Sequence, residues 1–281
     1  MHQGTLTAAA PASTEDLARR IRRRALEMVT RARASHIGSA LSITDIVAVL
    51  YGRTLHVDPA APKHLERDRF ILSKGHACVA VYAALAETGF IDPALLQTYG
   101  TDGSALMAHI SHKVPGAEFS TGALGHGLPF GTGKALAAKR LGKDWRTVVL
   151  TSDGEWGEGS NWEAALFGAH HGLDNLLCII DYNKLQSLTT VDETLRLEPL
   201  HSKFEAFGWA VQEVDGHDHD ALANALDAGS WPAGKPAMLI AHTTKGKGVS
   251  FMENKVEWHY RNPTSELLAQ ALAEIDGAKH A

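Results

Sequence analysis

Apolar residues change their spacing several times along the chain, and each change marks an element. From Thr14 to Ala34 they recur at helical intervals among charges, which predicts an amphipathic helix with Ser13 or Thr14 as N-cap. A second helix is expected over about Ser42 to Tyr51, a short buried strand at "DRFILS", and a helix from about Cys78 to Glu87. Between Gly89 and Gly127 the periodicity is lost among Gly, Pro, His and Ser, and irregular stretches of that length in a compact protein are usually functional or disordered. Leu128 to Leu141 returns to helix.

From Arg146 onward strands and helices alternate. Strand "RTVVLTS" leads to helix Asn161 to His171, strand "NLLCIID", helix Leu200 to Phe207, strand "WAVQEVD", helix Asp220 to Ala228 and strand "AMLIAHT". Such alternation builds a parallel sheet through right-handed crossovers, and uninterrupted apolar strands suit a sheet covered on both faces. The expected fold class is α/β, doubly wound, mostly parallel, with helices on both faces. There is no internal repeat or low-complexity linker. We expect a flexible tail over residues 1–13 and one domain over 14–281, with the segment from about Lys245 to Ala281 wrapping outside it.

Composition narrows the function. The 281 residues are 44% hydrophobic and can bury a large core, and a net charge of −5 leaves no basic footprint for nucleic acid. The local cluster Arg19, Arg20 and Arg22 to Arg24 reads as a solvated or partner-facing helix side. Cys78 and Cys178 lie far apart in apolar runs, which argues against a disulfide framework or a zinc site and for a reducing, cytoplasmic setting. No apolar run approaches the ~18 residues of a membrane span, and the N-terminus lacks the pattern of a signal peptide.

The candidate chemistry sits in "TSDGEWGEG". Asp153 closes one strand and Asn183 lies just past the end of the next, so a crossover between adjacent parallel strands would bring both to one crevice, where ligands bind in such sheets. An acidic oxygen and an amide oxygen together suit a hard cation such as Mg²⁺. Gly154, Gly157 and Gly159 let the backbone approach closely, and Ser160 with Glu163 reads as a capping box for the following helix. The same residues also fit ordinary turns.

Gly122, Gly125, Gly127, Gly131 and Gly133 lead into a helix, as phosphate-holding loops do, or else they let helices pack closely. No Walker or dinucleotide fingerprint is present: Ala135 follows Gly133-Lys134, and Leu128 stands where the first Walker glycine belongs. Of sixteen histidines, His36, His76, His109, His112, His126 and His259 fall in loops or at element ends, with no HExxH or CxxC beside them.

Taken with "ASHIGSALSITDIVAVLY", "ERDRFILSKGHACVAVYAAL", "VPGAEFSTGALGHGL", "HSKFEAFGWAVQEVDGHD" and "TTKGKGVSFMENKVEWHY", the stretch "TSDGEWGEGSNWEA…LLCIIDYNKL" resembles the N-terminal, diphosphate-binding half of transketolase, over roughly residues 15 to 262. The resemblance implies thiamin diphosphate with Mg²⁺ (or Ca²⁺ or Mn²⁺). Asp153, Asn183 and the Leu185 carbonyl would be the metal ligands, and Gly154 would contact the diphosphate. His76 and His259 would face the cofactor, with Gly122 and Leu124 along it, and His36 and His109 would point into the substrate channel. His112 is the neighbouring alternative to His109, because the surrounding pattern reads "AHISHK". Glu158 and Glu163 match acids that the family uses at a subunit interface near the cofactor.

The activity implied is transfer of a two-carbon ketol unit from a ketose (phosphate) to an aldose (phosphate). The family's cofactor-activating glutamate belongs to a pyrimidine-binding domain that this chain lacks. The expectation is therefore a split enzyme: one chain inactive by itself, completed by a C-terminal subunit, in an α2β2 heterotetramer. Rival expectations are the α subunit of a 2-oxo-acid dehydrogenase and a non-catalytic regulatory subunit. 1-Deoxyxylulose-5-phosphate synthase is disfavoured by chain length. Ser35 and Ile37 (in Ser35-His36-Ile37-Gly38), Ser152 and His126 depart from the family's motifs.

Overall fold

The computed structural model describes residues 11–277, so most of the expected N-terminal tail lies outside the described residues. The helices, in order, are α1 (Thr14–Ala32), α2 (Ile37–Ser42), α3 (Thr44–Val49), α4 (Cys78–Glu87), α5 (Gly127–Leu141), α6 (Gly159–His170), α7 (Val191–Thr194), α8 (Leu200–Phe207), α9 (His219–Leu226) and α10 (Ser265–Gly277). The strands are β1 (Arg69–Leu72), β2 (Thr147–Ser152), β3 (Leu176–Tyr182), β4 (Ala210–Asp215) and β5 (Ala237–His242). They form one sheet in the order β1-β2-β3-β5-β4, with every neighbouring pair parallel. This is the doubly wound α/β fold expected.

Alternate residues of the buried strands feed two cores. Val148, Leu150, Leu177 and Ile179 face the layer containing α1 to α4 and α9, while Val149, Cys178 and Ile180 face the layer with Trp156, Phe204 and Trp209. Both cysteines are free and buried. No helix among the described residues is long and apolar enough to cross a membrane.

Four local expectations are corrected. The helix expected over about Ser42 to Tyr51 is the short α3 followed by a wider turn over Leu50–Thr54, and a separate helix, α2, precedes it and ends at Ser42. Ser42 Oγ bonds back to Ser39 O and Thr44 Oγ1 to Ala40 O, competition that bends helices. The capping box at Ser160 and Glu163 does not form. Glu158 occupies the N-cap position without a side-chain bond, and Ser160 Oγ instead donates to Gly125 O at 2.7 Å. A capping box forms at Thr190 and Glu193. The arginines of α1 face carboxylates of the same chain: Arg22 pairs with Asp45, Arg24 with Glu87 on α4, and Arg23 with Asp276 on α10. Finally, the segment after Lys245 is not all outside, since Lys245, Val249, Met252 and Trp258 are buried.

Candidate active site

β2 and β3 pair in register up to Ser152 opposite Asp181, so both strands end at the same edge of the sheet. The chain then turns immediately in each case. Asp153 caps the short helical turn Gly154–Gly157, and Asn183 precedes Lys184, whose φ of 66° reverses the chain. A cavity of about 260 Å³ opens there, lined by His36, His76, His109, Gly122, Leu124, Asp153, Gly154, Asn183, Leu185 and His259. Larger depressions, of about 560, 650 and 800 Å³, lie elsewhere on the surface. Chemistry, not size, singles out the smaller one.

Glu158 and Glu163 are exposed and do not line the cavity. Glu155 lines it instead and is fully buried. Its carboxylate accepts from Ser73 Oγ and from the backbone N–H groups of Gly125 (2.8 Å) and Ser152 (3.2 Å). It thus ties the ends of β1 and β2 to the glycine-rich loop. His112 bonds Ser120 on the exposed side, whereas His109 reaches the cavity.

The four histidines converge from separate segments. The His36 ring lies 5.0 Å from those of His76 and His259 and 6.0 Å from that of His109. His36 sits at φ 76°, a left-handed conformation costly for a residue with a Cβ, and its N–H donates to His259 O at 2.7 Å. Burial, with His109, Lys245 and Lys74 adding like charge, lowers the His36 pKa to about 4. Burial and then Lys245 lower that of His259 to about 3, and burial holds His76 well below its ordinary value. The cluster is therefore a set of neutral imidazoles near pH 7, each able to accept or donate a proton.

Two buried lysines escape any reading of the sequence alone. Lys74 pairs with Asp181, which is itself fully buried and also accepts from Ser42 Oγ (2.7 Å), Thr243 Oγ1 and Asn183 Nδ2 (3.0 Å). Burial opposes the charge of Asp181, but Lys74 outweighs it and keeps the carboxyl ionised. Lys245 Nζ donates to Gln186 O at 2.7 Å and Leu185 O at 3.2 Å and lies 3.1 Å from His259 Nδ1. Both lysines sit in loop-like stretches of Ser, Thr and Gly, and only burial distinguishes them from surface lysines.

These residues suit a hard divalent cation. Asp153 is buried, accepts backbone N–H groups of Gly154 (2.7 Å) and Lys184 (2.5 Å), and has no salt-bridge partner among the described residues. Burial, and then the charge of Asp181, push its pKa up to about 7, so a cation beside it would relieve an unfavourable charge. Asn183 spends its amide NH₂ on Asp181, which fixes the amide orientation, and its Oδ1 accepts the Leu185 N–H at 3.0 Å with a second lone pair left over. No cluster of three or more His, Cys, Asp or Glu able to hold a metal occurs among the described residues.

Residues 13–272 match the family model of the transketolase thiamine diphosphate binding domain. An apulose-4-phosphate transketolase subunit of Phocaeicola vulgatus is 44% identical over 254 residues, covering 90% of each chain. The 6-deoxy-6-sulfo-D-fructose transketolase subunit SqwG of Clostridium sp. is 40% identical over 257 residues, covering 91% of this chain and 94% of that one. Among solved structures, transketolase from Leishmania mexicana superposes with a TM-score of 0.90 at 30% identity, covering 94% of this chain. The chain spans 41% of that protein's length. The order of motifs, the sheet and the site at its edge all agree with these matches: the chain belongs to the transketolase family, of which it carries the thiamine diphosphate binding domain.

Proposed function

We propose that this chain is the diphosphate-binding subunit of a two-chain transketolase, which transfers a two-carbon ketol unit from a ketose to an aldose. The observation that carries this reading is that the buried carboxylate of Asp153 and the amide of Asn183, at two adjacent strand ends, line one cavity. Asp153, Asn183 and the carbonyl of Leu185 would hold Mg²⁺, with Ca²⁺ or Mn²⁺ as substitutes. Gly154 lines the cavity and would contact the diphosphate; a Cβ there would come to 2.8 Å of the Gln186 side chain, so the position is held by glycine. His76, Gly122, Leu124 and His259 would line the cofactor. When bound, thiamin diphosphate supplies a carbon nucleophile and an electron sink for breaking a carbon–carbon bond.

The chain's own groups do the rest. His36 and His109 would face the sugar and exchange protons with its hydroxyl and carbonyl oxygens as neutral imidazoles. Lys245 adds positive charge next to His259. Burial and Lys74 lower its pKa to about 8, which leaves it mainly charged at neutral pH. Both lysines are already engaged by acceptors within the chain, so the grip on an anionic sugar tail is assigned to the partner. Phosphorylated or sulfonated sugars both fit that division of labour, as the names of the relatives suggest.

The partner would be a C-terminal subunit carrying the pyrimidine-binding domain, in an α2β2 heterotetramer. Relatives named as transketolase subunits match over nearly their whole length, which supports this. So do Leu166 and Phe167, exposed on α6 one turn beyond Glu163 and just over two turns beyond Glu158. Free, buried cysteines support a reducing, cytoplasmic setting.

The test is a calorimetric titration of thiamin diphosphate with Mg²⁺ into the chain mixed with its C-terminal partner. Saturable binding that disappears in Asp153→Asn, by at least about a hundredfold in affinity, is the expected result. Absence of binding in the wild-type complex would overturn the cofactor assignment and favour a regulatory subunit.

A further inference from the structure

Asp45 on α3 is a buried carboxylate outside the cavity just described, and it contacts the loop behind that cavity through two side chains. Its Oδ2 accepts from Arg22 Nη2 at 2.5 Å and lies 2.7 Å from His217 Nδ1, and its Oδ1 lies 3.0 Å from His219 Nε2. The second nitrogen of His217 accepts the backbone N–H of Thr244 at 2.8 Å, so the proton of that imidazole resides on Nδ1 and is donated to Asp45. Arg22 Nε donates to the carbonyl of Lys247 at 3.2 Å. The two arms grip the backbone on either side of Lys245.

The gripped loop has little freedom of its own. Gly246 sits at φ 82°, where a Cβ would come within 2.5 Å of Met252 O, and its N–H donates to Gly38 O at 3.0 Å. Held in this way, Lys245 points inward, where its ammonium meets Gln186 O, Leu185 O and His259 Nδ1. A single carboxylate thus links α1, α3 and the loop after β4 to the one lysine of the 244–247 loop that bonds residues lining the site.

We propose that Asp45 is a positioning residue: through His217 and Arg22 it sets the 244–247 backbone so that the Lys245 ammonium lies beside His259 and the cofactor's diphosphate. The diphosphate part rests on the function proposed above; the positioning part does not. Removing an outer partner of this kind typically weakens a site about 10- to 100-fold without touching the ligand.

Two measurements on the complex of chain and partner decide the matter. The first is hydrogen exchange without ligand. Asp45→Asn and His217→Gln should speed exchange of the Thr244 and Gly246 amides at least about tenfold, with little change in the sheet, and unchanged protection overturns the proposal. The second is a double-mutant cycle on the dissociation constant of thiamin diphosphate with Mg²⁺. Asp45→Asn should weaken binding about tenfold in the wild-type background and hardly at all in Lys245→Ala, because the residue acts through that lysine. An equal loss in both backgrounds overturns the proposal. Arg22→Lys keeps the buried charge but cannot reach Asp45 and Lys247 O together, so it repeats the test if Asp45→Asn fails to fold, with the same two outcomes. If the wild-type complex binds no cofactor, the function reading falls, and the exchange measurement still decides whether Asp45 holds the loop.

Discussion

The histidines of the site carry their chemistry through burial, and burial leaves a signature in stability. His36, His76 and His259 all have folded pKa values below the ordinary imidazole value of 6.5. The folded chain therefore binds fewer protons than the unfolded chain in mild acid. The associated stability is fully present above about pH 6.5 and declines as pH falls toward the folded values of about 4 and 3. A thermal-melt series should show that decline for the wild type. The triple variant His36→Gln, His76→Gln, His259→Gln should show a shallower slope between pH 6.5 and 4. An unchanged slope would mean that the imidazoles are not held neutral. At the same scale, Lys74 and Asp181 illustrate why a buried pair is kept: Asp181 turns the Asn183 amide, and removing Lys74 would strand a carboxylate in the core.

At the scale of elements, the glycine-rich run has two separate uses. Gly125 and Gly127 close against the site: a Cβ at Gly127 would meet Ser73 at 2.3–2.4 Å, and Gly125 adopts φ 81° while its N–H meets Glu155. Gly131 and Gly133 belong to α5 and differ in what surrounds them. A Cβ at Gly131 would lie 2.5 Å from Val149 Cγ2 on β2, whereas nothing lies within 4 Å of Gly133. Gly131→Ala should therefore destabilise the chain by roughly 1–3 kcal/mol through overpacking. Gly133→Ala should stabilise it by about 0.5–1 kcal/mol through helix propensity. Denaturant unfolding of the two variants checks the sign; the same sign for both would contradict the packing described for α5.

For the whole molecule, the proposed division into two subunits makes a direct prediction. The cavity is open at the carboxyl edge of the sheet, and Tyr260 (56% exposed) stands at its rim while Leu188 (79%) is exposed on the loop after β3. The prediction is that the purified chain has no ketol transfer activity with any ketose–aldose pair. Mixing it with its pyrimidine-domain partner should produce both activity and a larger sedimenting species. Turnover by the chain alone would refute the division into two subunits.

Periodicity in the sequence was enough to place α4, α8 and the strands nearly to the residue, because apolar positions recur there at helix or strand spacing between clear turn signals. Six ordered motifs likewise pointed to the family and to Asp153 and Asn183, since strand ends and their spacing are written locally. Three things depended on tertiary structure. Ser160 bonds to Gly125 instead of capping α6, because a distant loop offers a carbonyl at the right place. Glu155, and not Glu158, turns inward, because the helical turn after Asp153 sets which acid faces the core. Lys74 lines the site, Lys245 bonds its lining residues from behind, and Asp45 grips the loop that carries Lys245, through contacts between residues up to 225 positions apart. Charge partners at such separations leave no periodic trace along the chain, so the fold and its site are legible locally while the wiring that positions them is decided by packing.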